Sequence, residues 1–499
     1  MKIGIIPYQK EDFEIDKDKQ RPSFLEYQET YKGFSKPIDT PLNKRHFIYT
    51  PCAPISQFTE LGYCNTEYPF EKPGFNTMDR SDGLSMINKG NDTVGVIQSM
   101  GWRSGRCDVC IKEGVSYWEV IVLKGGAVAV SNDEDGDSEV KTKDAIDNSP
   151  HLRFGISRRE MSLEAPVGFD AYGYGIRDQA LESVHEGKLN QKIRTKTQLK
   201  EGDRIGFVLT LPDTQEQIEQ AREYTMRRLD ALLQSGSKGI SNSDMTSEND
   251  QSLSSGPHRK KLKHWKPSQK EFQEALLRDI DYTNIVRDQI AIRYKGQLLF
   301  EGTDYVKTTK PEYYSSDHRE RQDYYNLKGS SLKLYLNGEY LGKSFENLNP
   351  FLPPFSELQY NEKFYYNYWK NGGARLAEDH SLDRYNDSTH VTKNEKLTET
   401  DNSGGIMNNL TDVKGVQLLR NKYVNNNRLG YYPTVSCFNG GEAKIITVGS
   451  ELKYLEQVKE QEGIDCKINT LDKLFNEQIA DDIIWDIVDE LEEECKKGK

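Results

Sequence analysis

The chain has 499 residues with 79 acidic against 67 basic side chains, a net charge of -12 that excludes nucleic acid as the partner of its whole surface. Its seven cysteines are odd in number and scattered, which excludes a disulfide framework, and no apolar run is long enough to span a bilayer, so an intracellular, reduced protein is expected. Hydrophobic residues make up only 35% and charged ones 29%, yet 28 Tyr, 18 Phe and 39 Gly favour a β-rich body carrying long polar insertions.

Residues 1–45 are polar and punctuated by Pro7, Pro22, Pro37 and Pro41, and read as a poorly ordered arm. Short apolar pieces follow from His46 onward, broken by Pro and Gly. Gly83–Ile87 and Thr93–Ile97 are expected to pair across an Asn/Gly turn region, and Tyr117–Leu123 is the strongest strand of this half. Residues 131–150 are acidic and have nothing to bury. His151–Ile156 alternates, with Leu152, Phe154 and Ile156 on one face and Arg153 with Gly155 on the other. After a loop holding Pro166 and Gly168, Phe169–Ile176 alternates aromatics with glycine and ends in Arg177. Gly202–Leu211 is a turn followed by a buried strand, and a helix starts at Pro212-Asp213. Residues 235–257 form a Ser/Asn/Gly/Asp-rich linker that runs into the basic stretch 258–266, and Ser268 with Glu271 forms a capping box for another helix. Strands resume at Gln289–Tyr294 and Gln297–Phe300. Asn337-Gly338 gives the strongest hairpin signal, residues 385–415 are polar, and the last strands are Gly430–Phe438 and Ala443–Ile446.

At 471–491, Leu471, Leu474, Phe475, Ile479, Ile483, Ile484, Ile487, Val488 and Leu491 recur at steps of three and four, opposite a run of carboxylates. Such a stripe either docks on its own domain or enters a partner's groove. The polar stretch from Gln457 to Asn469 is read as leaving it free of the body. The economical division is an arm at 1–45, one β body at 46–450 with insertions near 131–150, 213–287 and 385–415, and a linker with helix at 451–499.

No catalytic constellation stands out. Gly338–Ser344 has three residues between its glycines where a phosphate loop needs four, and it lies in a hairpin. Gly173-Tyr174-Gly175 lacks the third glycine of a dinucleotide fingerprint. Cys107-x-x-Cys110 has no second pair with ligand spacing, so free thiols are expected and no metal or cofactor is assigned. Arg259, Lys260, Lys261, Lys263 and Lys266 fit either nuclear import or a contact with a phosphate backbone, or else a solvated loop. Arg153 and Arg177, beside Pro166, Phe169 and several tyrosines, suit an extended acidic peptide, since guanidinium forks match carboxylates. Spacing alone leaves open that both are surface charges, with Arg177 answered by Asp178.

Gly114–Val120, His151–Ile156, Gly202–Phe207 and Asn337–Phe345 resemble the four signature strands and turns of a SPRY domain, with Ser344 departing from the family's small Ala. Ala165–Asp170, Tyr172–Tyr174, Arg177 and the C-terminal helix are similar to the SPRY subunit of COMPASS-type histone methyltransferase complexes, the Ash-two or Bre-two type, the fungal Bre-two form being nearest. The resemblance covers roughly residues 46–499 outside the insertions. It implies an antiparallel β-sandwich and a nuclear, non-catalytic scaffold for methylation of histone H3 lysine 4. It further implies that Arg153, Pro166, Phe169 and Arg177 receive an acidic segment of a WD-repeat subunit. The helix bearing Ile479, Ile483, Ile484, Ile487, Val488 and Leu491 would dock in the groove of a Dpy-thirty type dimer, and both partners would link the chain to the catalytic SET-domain subunit. Phe169 replaces the tyrosine of the animal form, which removes one hydroxyl. The rival reading is a SPRY substrate receptor of a ubiquitin ligase, which shares the β body but has no need of the helix.

Overall fold

A computed structural model describes residues 27–37, 47–53, 65–66, 72–87, 91–126, 149–190, 193, 199–224, 289–294, 297–303, 306–307, 326–352, 355–356, 358–359, 428–463, 467–481 and 484. The basic run 258–266, residues 385–415 and Ile483, Ile487, Val488 and Leu491 lie outside them, as does the acidic insertion apart from Ser149 and Pro150.

The protein is mainly antiparallel β, with a ten-stranded and a seven-stranded sheet enclosing one core, a β-sandwich. The large sheet is centred on Gly114–Lys124, which pairs with Arg204–Leu211 on one side and Glu442–Ile446 on the other. The strict alternation of this strand decides its two faces. Trp118, Val120 and Val122 turn inward, and Trp118 stacks on Phe207 at 5.4 Å. Tyr117 and Glu119 turn outward. The small sheet runs Lys188–Asn190, Ser183–His185, Gly173–Arg177, His151–Ser157, Tyr432–Phe438, Arg103–Cys107, Phe75–Arg80. From it Phe154, Ile156, Tyr174, Ile176 and Val435 close the core, each fully buried side chain contributing roughly 1.5–3 kcal/mol. The pairs expected at Ser85–Ile87 with Thr93–Gly95, and at Ser331–Leu336 with Glu339–Glu346, are present. Strands Phe47–Ala53, Asn65–Thr66, Gln289–Tyr294 and Gln297–Thr303 form a separate four-stranded sheet.

Two boundaries differ from the sequence reading. The arm at 1–45 contains a hairpin, Tyr27–Tyr31 with Phe34–Pro37, that extends the large sheet. Its turn places Lys32 and Gly33 at positive φ, and Tyr31 stacks on Phe34 at 4.8 Å, so a few aromatics suffice to anchor a polar segment. Nor does the chain leave the body at 451. Helix Leu455–Glu462 lays Leu455 and Val458 on the outer face of the large sheet against Tyr117, Val208 and Tyr335. Beneath it the fully buried Glu119 accepts hydrogen bonds from Tyr117 Oη (3.0 Å), Arg204 Nη1 (2.9 Å) and Tyr454 N (2.8 Å). Strand Ile468–Thr470 then pairs in parallel with Val115–Tyr117. The stretch read as a free linker is therefore held by a carboxylate that helix, strand and arginine share.

Candidate partner-binding site

The outer face of the small sheet is set by register. Arg153 lies directly opposite Arg177 and Ser436, and Gly155 opposite Gly175 and Thr434. Because Leu152, Phe154 and Ile156 are buried in the core, Arg153, Gly155, Gly175 and Arg177 share the opposite face. The sequence alternation had placed Arg153 there, and the pairing brings Arg177 beside it.

The loop that follows Ser157 folds back over this face. Two fully buried serines hold it: Ser104 Oγ donates to Ala165 O (2.7 Å), Val167 N donates to Ser436 Oγ (2.9 Å), and the two hydroxyls lie 2.7 Å apart. Phe169 N donates to Pro166 O (3.0 Å), closing a turn whose third position is Gly168 at φ +84. The turn settles on Gly175, where a Cβ would meet Val167 O at 2.2 Å, so only glycine admits the loop. Val167 points down into a small cluster with Met161 and Tyr172. Pro166 is left half-buried, and Phe169 stands 60% exposed.

The two arginines differ in their surroundings. Arg177 Nη1 is paired with Glu182 Oε2 (2.8 Å), and Nη2 donates to Gln179 Oε1 (3.1 Å). Asp178, the counter-ion suggested by sequence, is buried and engaged elsewhere: its Oδ2 accepts from Leu152 N (2.9 Å) and Gly126 N (3.2 Å) and faces His151 Nδ1 (3.2 Å). Arg153 is half-buried. No described residue accepts a hydrogen bond from its guanidinium, and its Nε is buried without a partner. Burial, aided by Arg177 and opposed by Asp178, pulls its pKa down from 12.5 to about 10, so it keeps its charge at neutral pH. A desolvated cation lacking an acceptor is an energetic deficit that an arriving carboxylate would relieve.

Two aromatics that the sequence reading passed over complete the site. Trp102 lies under Arg153, its ring centroid 5.1 Å from the guanidinium carbon, and Phe438 packs on Trp102 at 5.2 Å. The signal was the alternation Trp102, Ser104, Arg106, running from just before the strand Arg103–Cys107 into it, with little apolar content. Only the pairing of Ser104 with Ser436, itself opposite Arg153, reveals that this row borders Arg153.

The C-terminal helix divides. Leu471 and Phe475 are core residues, and Leu474 and Ile479 pack against the same core. Gln478 is buried, its Nε2 donating to Asp108 O (3.0 Å) and its Oε1 accepting from Cys110 N (3.1 Å). Ile479, assigned above to a partner's groove, thus faces its own body, while Ile484 is 57% exposed. Cys107 and Cys110 are free buried thiols, and among the described residues no group of His, Cys, Asp and Glu could hold a metal ion.

No family model matches the chain. It is 51% identical over 528 residues to the COMPASS component BRE2 of Saccharomyces cerevisiae, covering 99% of each chain. It is 24% identical over 456 residues to the Set1 complex component ash2 of Schizosaccharomyces pombe, covering 91% of this chain and 47% of that one. The PSpry domain of TRIM65, a solved structure, matches at 12% identity and a TM-score of 0.20, over 28% of this chain and 68% of that one.

Proposed function

The chain belongs to the family of Bre2- and Ash2-type COMPASS subunits, and from that footing we propose that it is a non-catalytic, nuclear scaffold of a histone H3 lysine-4 methyltransferase complex. In this reading the outer face of the small sheet receives an acidic, extended segment of the WD-repeat subunit. Arg153 and Arg177 take its carboxylates, and Pro166 and Phe169 take its apolar side chains. The apolar stripe beyond residue 480, Ile483, Ile484, Ile487, Val488 and Leu491, enters the groove of the small dimeric subunit. Through both partners the chain supports the SET-domain subunit. The run Arg259, Lys260, Lys261, Lys263 and Lys266 serves nuclear import or touches nucleosomal DNA.

The observation that carries the reading is Arg153: a half-buried guanidinium over an indole, with its Nε buried and unpaired. Titration calorimetry of the full chain with the WD-repeat subunit tests it. Arg153→Ala should weaken binding by about 2–5 kcal/mol, because the incoming carboxylate is left buried and unanswered. Arg177→Ala should lose only about 0–1 kcal/mol, since Arg177 is partly solvated and already engaged by Glu182. Unchanged affinity in both variants would dispose of the site.

A further inference from the structure

The seven-stranded sheet ends at Lys188–Asn190, and this edge lies next to the site just described. The hairpin that forms it is short and fully determined. His185 pairs with Lys188, Val184 with Leu189 and Ser183 with Asn190, and the intervening Glu186 and Gly187 sit at φ 54 and φ 69. That is a two-residue turn of the type whose closing pair exchanges both hydrogen bonds. In the next pair the backbone groups of both residues therefore point outward. For Val184 outward means toward Gly175 in the neighbouring strand. For Leu189 it means toward the open edge, where no described residue takes its N–H or C=O.

The side chain of Leu189 falls on the same face as the arginines. The register carries one row across the sheet, Gly155, Gly175, Val184, Leu189, on the side opposite the core. Val184 in that row is covered by the Pro166–Phe169 turn, since a Cβ on Gly168 would meet Val184 O at 2.3 Å. The same loop grips the hairpin tip: Gly187 N donates to Gly168 O (3.0 Å) and Glu186 N to Asp170 O (3.3 Å). Beyond it Leu189 is 50% exposed, as Phe169 is at 60%. Two large apolar side chains and one strand edge that no described residue pairs with thus continue outward from the two arginines.

We propose that the acidic segment engaged at Arg153 runs on past Phe169 and adds to the Lys188–Asn190 edge as an extra strand, its N–H and C=O groups pairing with those of Leu189. This rests on the reading of the arginine site given above. The distances suit one peptide: two strand spacings, about 10 Å, separate the Arg177 strand from the edge, a gap that about three extended residues span. Main-chain pairing would contribute affinity, with Leu189 and Phe169 selecting an apolar side chain between the carboxylates.

Hydrogen–deuterium exchange on the full chain, alone and with the WD-repeat subunit, reads the proposal directly. The Leu189 amide should exchange freely alone and be slowed at least tenfold in the complex. Leu189→Pro removes that one outward donor while keeping an extended backbone, and Pro is tolerated where a strand N–H faces solvent. It should lower affinity about tenfold, against a smaller loss for Leu189→Ala. If the Leu189 amide stays fast in the complex while Arg153→Ala abolishes binding, the strand addition is wrong and the arginine site stands. If neither variant binds more weakly and the amide stays fast, both fall. Should Leu189→Pro unfold the hairpin, the exchange of the unsubstituted chain decides alone.

Discussion

At the scale of single residues, Arg177 is answered by Glu182 Oε2 at 2.8 Å and not by the adjacent Asp178, whose Oδ2 accepts from Leu152 N and Gly126 N. Alternation alone set Arg153 apart from Leu152, Phe154 and Ile156, which are fully buried. Glu182 as the partner of Arg177 could not be read, because the connection between them places Ala180 and Leu181 at φ 52 and φ 53. Non-glycine residues adopt that conformation only where the surroundings impose it, here through the complete burial of Leu181. Asp108 is a second residue whose character comes from its surroundings. Burial raises its pKa from 3.8 to about 7, opposed by hydrogen bonds from Asn76 Nδ2 (2.8 Å) and Asn91 Nδ2 (3.2 Å). A carboxyl harder to ionise when folded makes the native state hold the proton more tightly. Its contribution is fully present below the unfolded value near 3.8 and is lost as pH rises through about 7. Asp108→Asn cannot ionise, so its melting temperature relative to the parent chain should be higher at pH 8 than at pH 5. An equal difference at both pH values, measured by scanning calorimetry, would show that Asp108 does not titrate in this window.

At the scale of elements, strands with strong local signals were found where expected, and the errors gathered where one element depends on another. The Asn337-Gly338 turn carries its own instruction, both residues having positive φ. Strand Ile468–Thr470 carries none: three half-buried residues in a polar stretch pair because the Gly114–Lys124 strand leaves an edge open beside them. The amphipathic stripe at 471–491 was visible, but periodicity cannot say which surface an apolar face meets. Its first turns, Leu471 to Ile479, meet the core and anchor the segment to its own body. A chain ending at Asp481 keeps Leu471, Phe475 and Gln478 and should melt with the full chain while losing the small dimeric subunit. A chain ending at Gly463 forfeits two core side chains, about 3–6 kcal/mol, and leaves Cys110 N–H and Asp108 C=O without their buried partner. Thermal melts and co-purification separate the two. If the chain ending at Asp481 melts as low as the shorter one, the distal residues pack on the body and the division is wrong.

At the scale of the molecule, the sandwich offers two faces to different neighbours. Helix Leu455–Glu462 covers part of the outer face of the large sheet, and the small sheet exposes the arginine face. Charge divides the chain as well. The whole carries -12, yet five of the nine residues at 258–266 are Lys or Arg. An acidic protein is repelled by DNA at long range, but screening confines that repulsion to about 10 Å at moderate salt, so a local cationic run can act independently of the net charge. Each phosphate neutralised contributes roughly 0.9 to the slope of log affinity against log salt. Replacing Arg259, Lys260, Lys261, Lys263 and Lys266 with Gln should therefore weaken nucleosome binding by the reconstituted complex and flatten its salt dependence by up to about 4.5. If the run serves import instead, the salt slope stays as it was and the substituted chain accumulates in the cytoplasm. Nuclear accumulation and nucleosome affinity both equal to those of the parent chain would leave the run with no role but solvation.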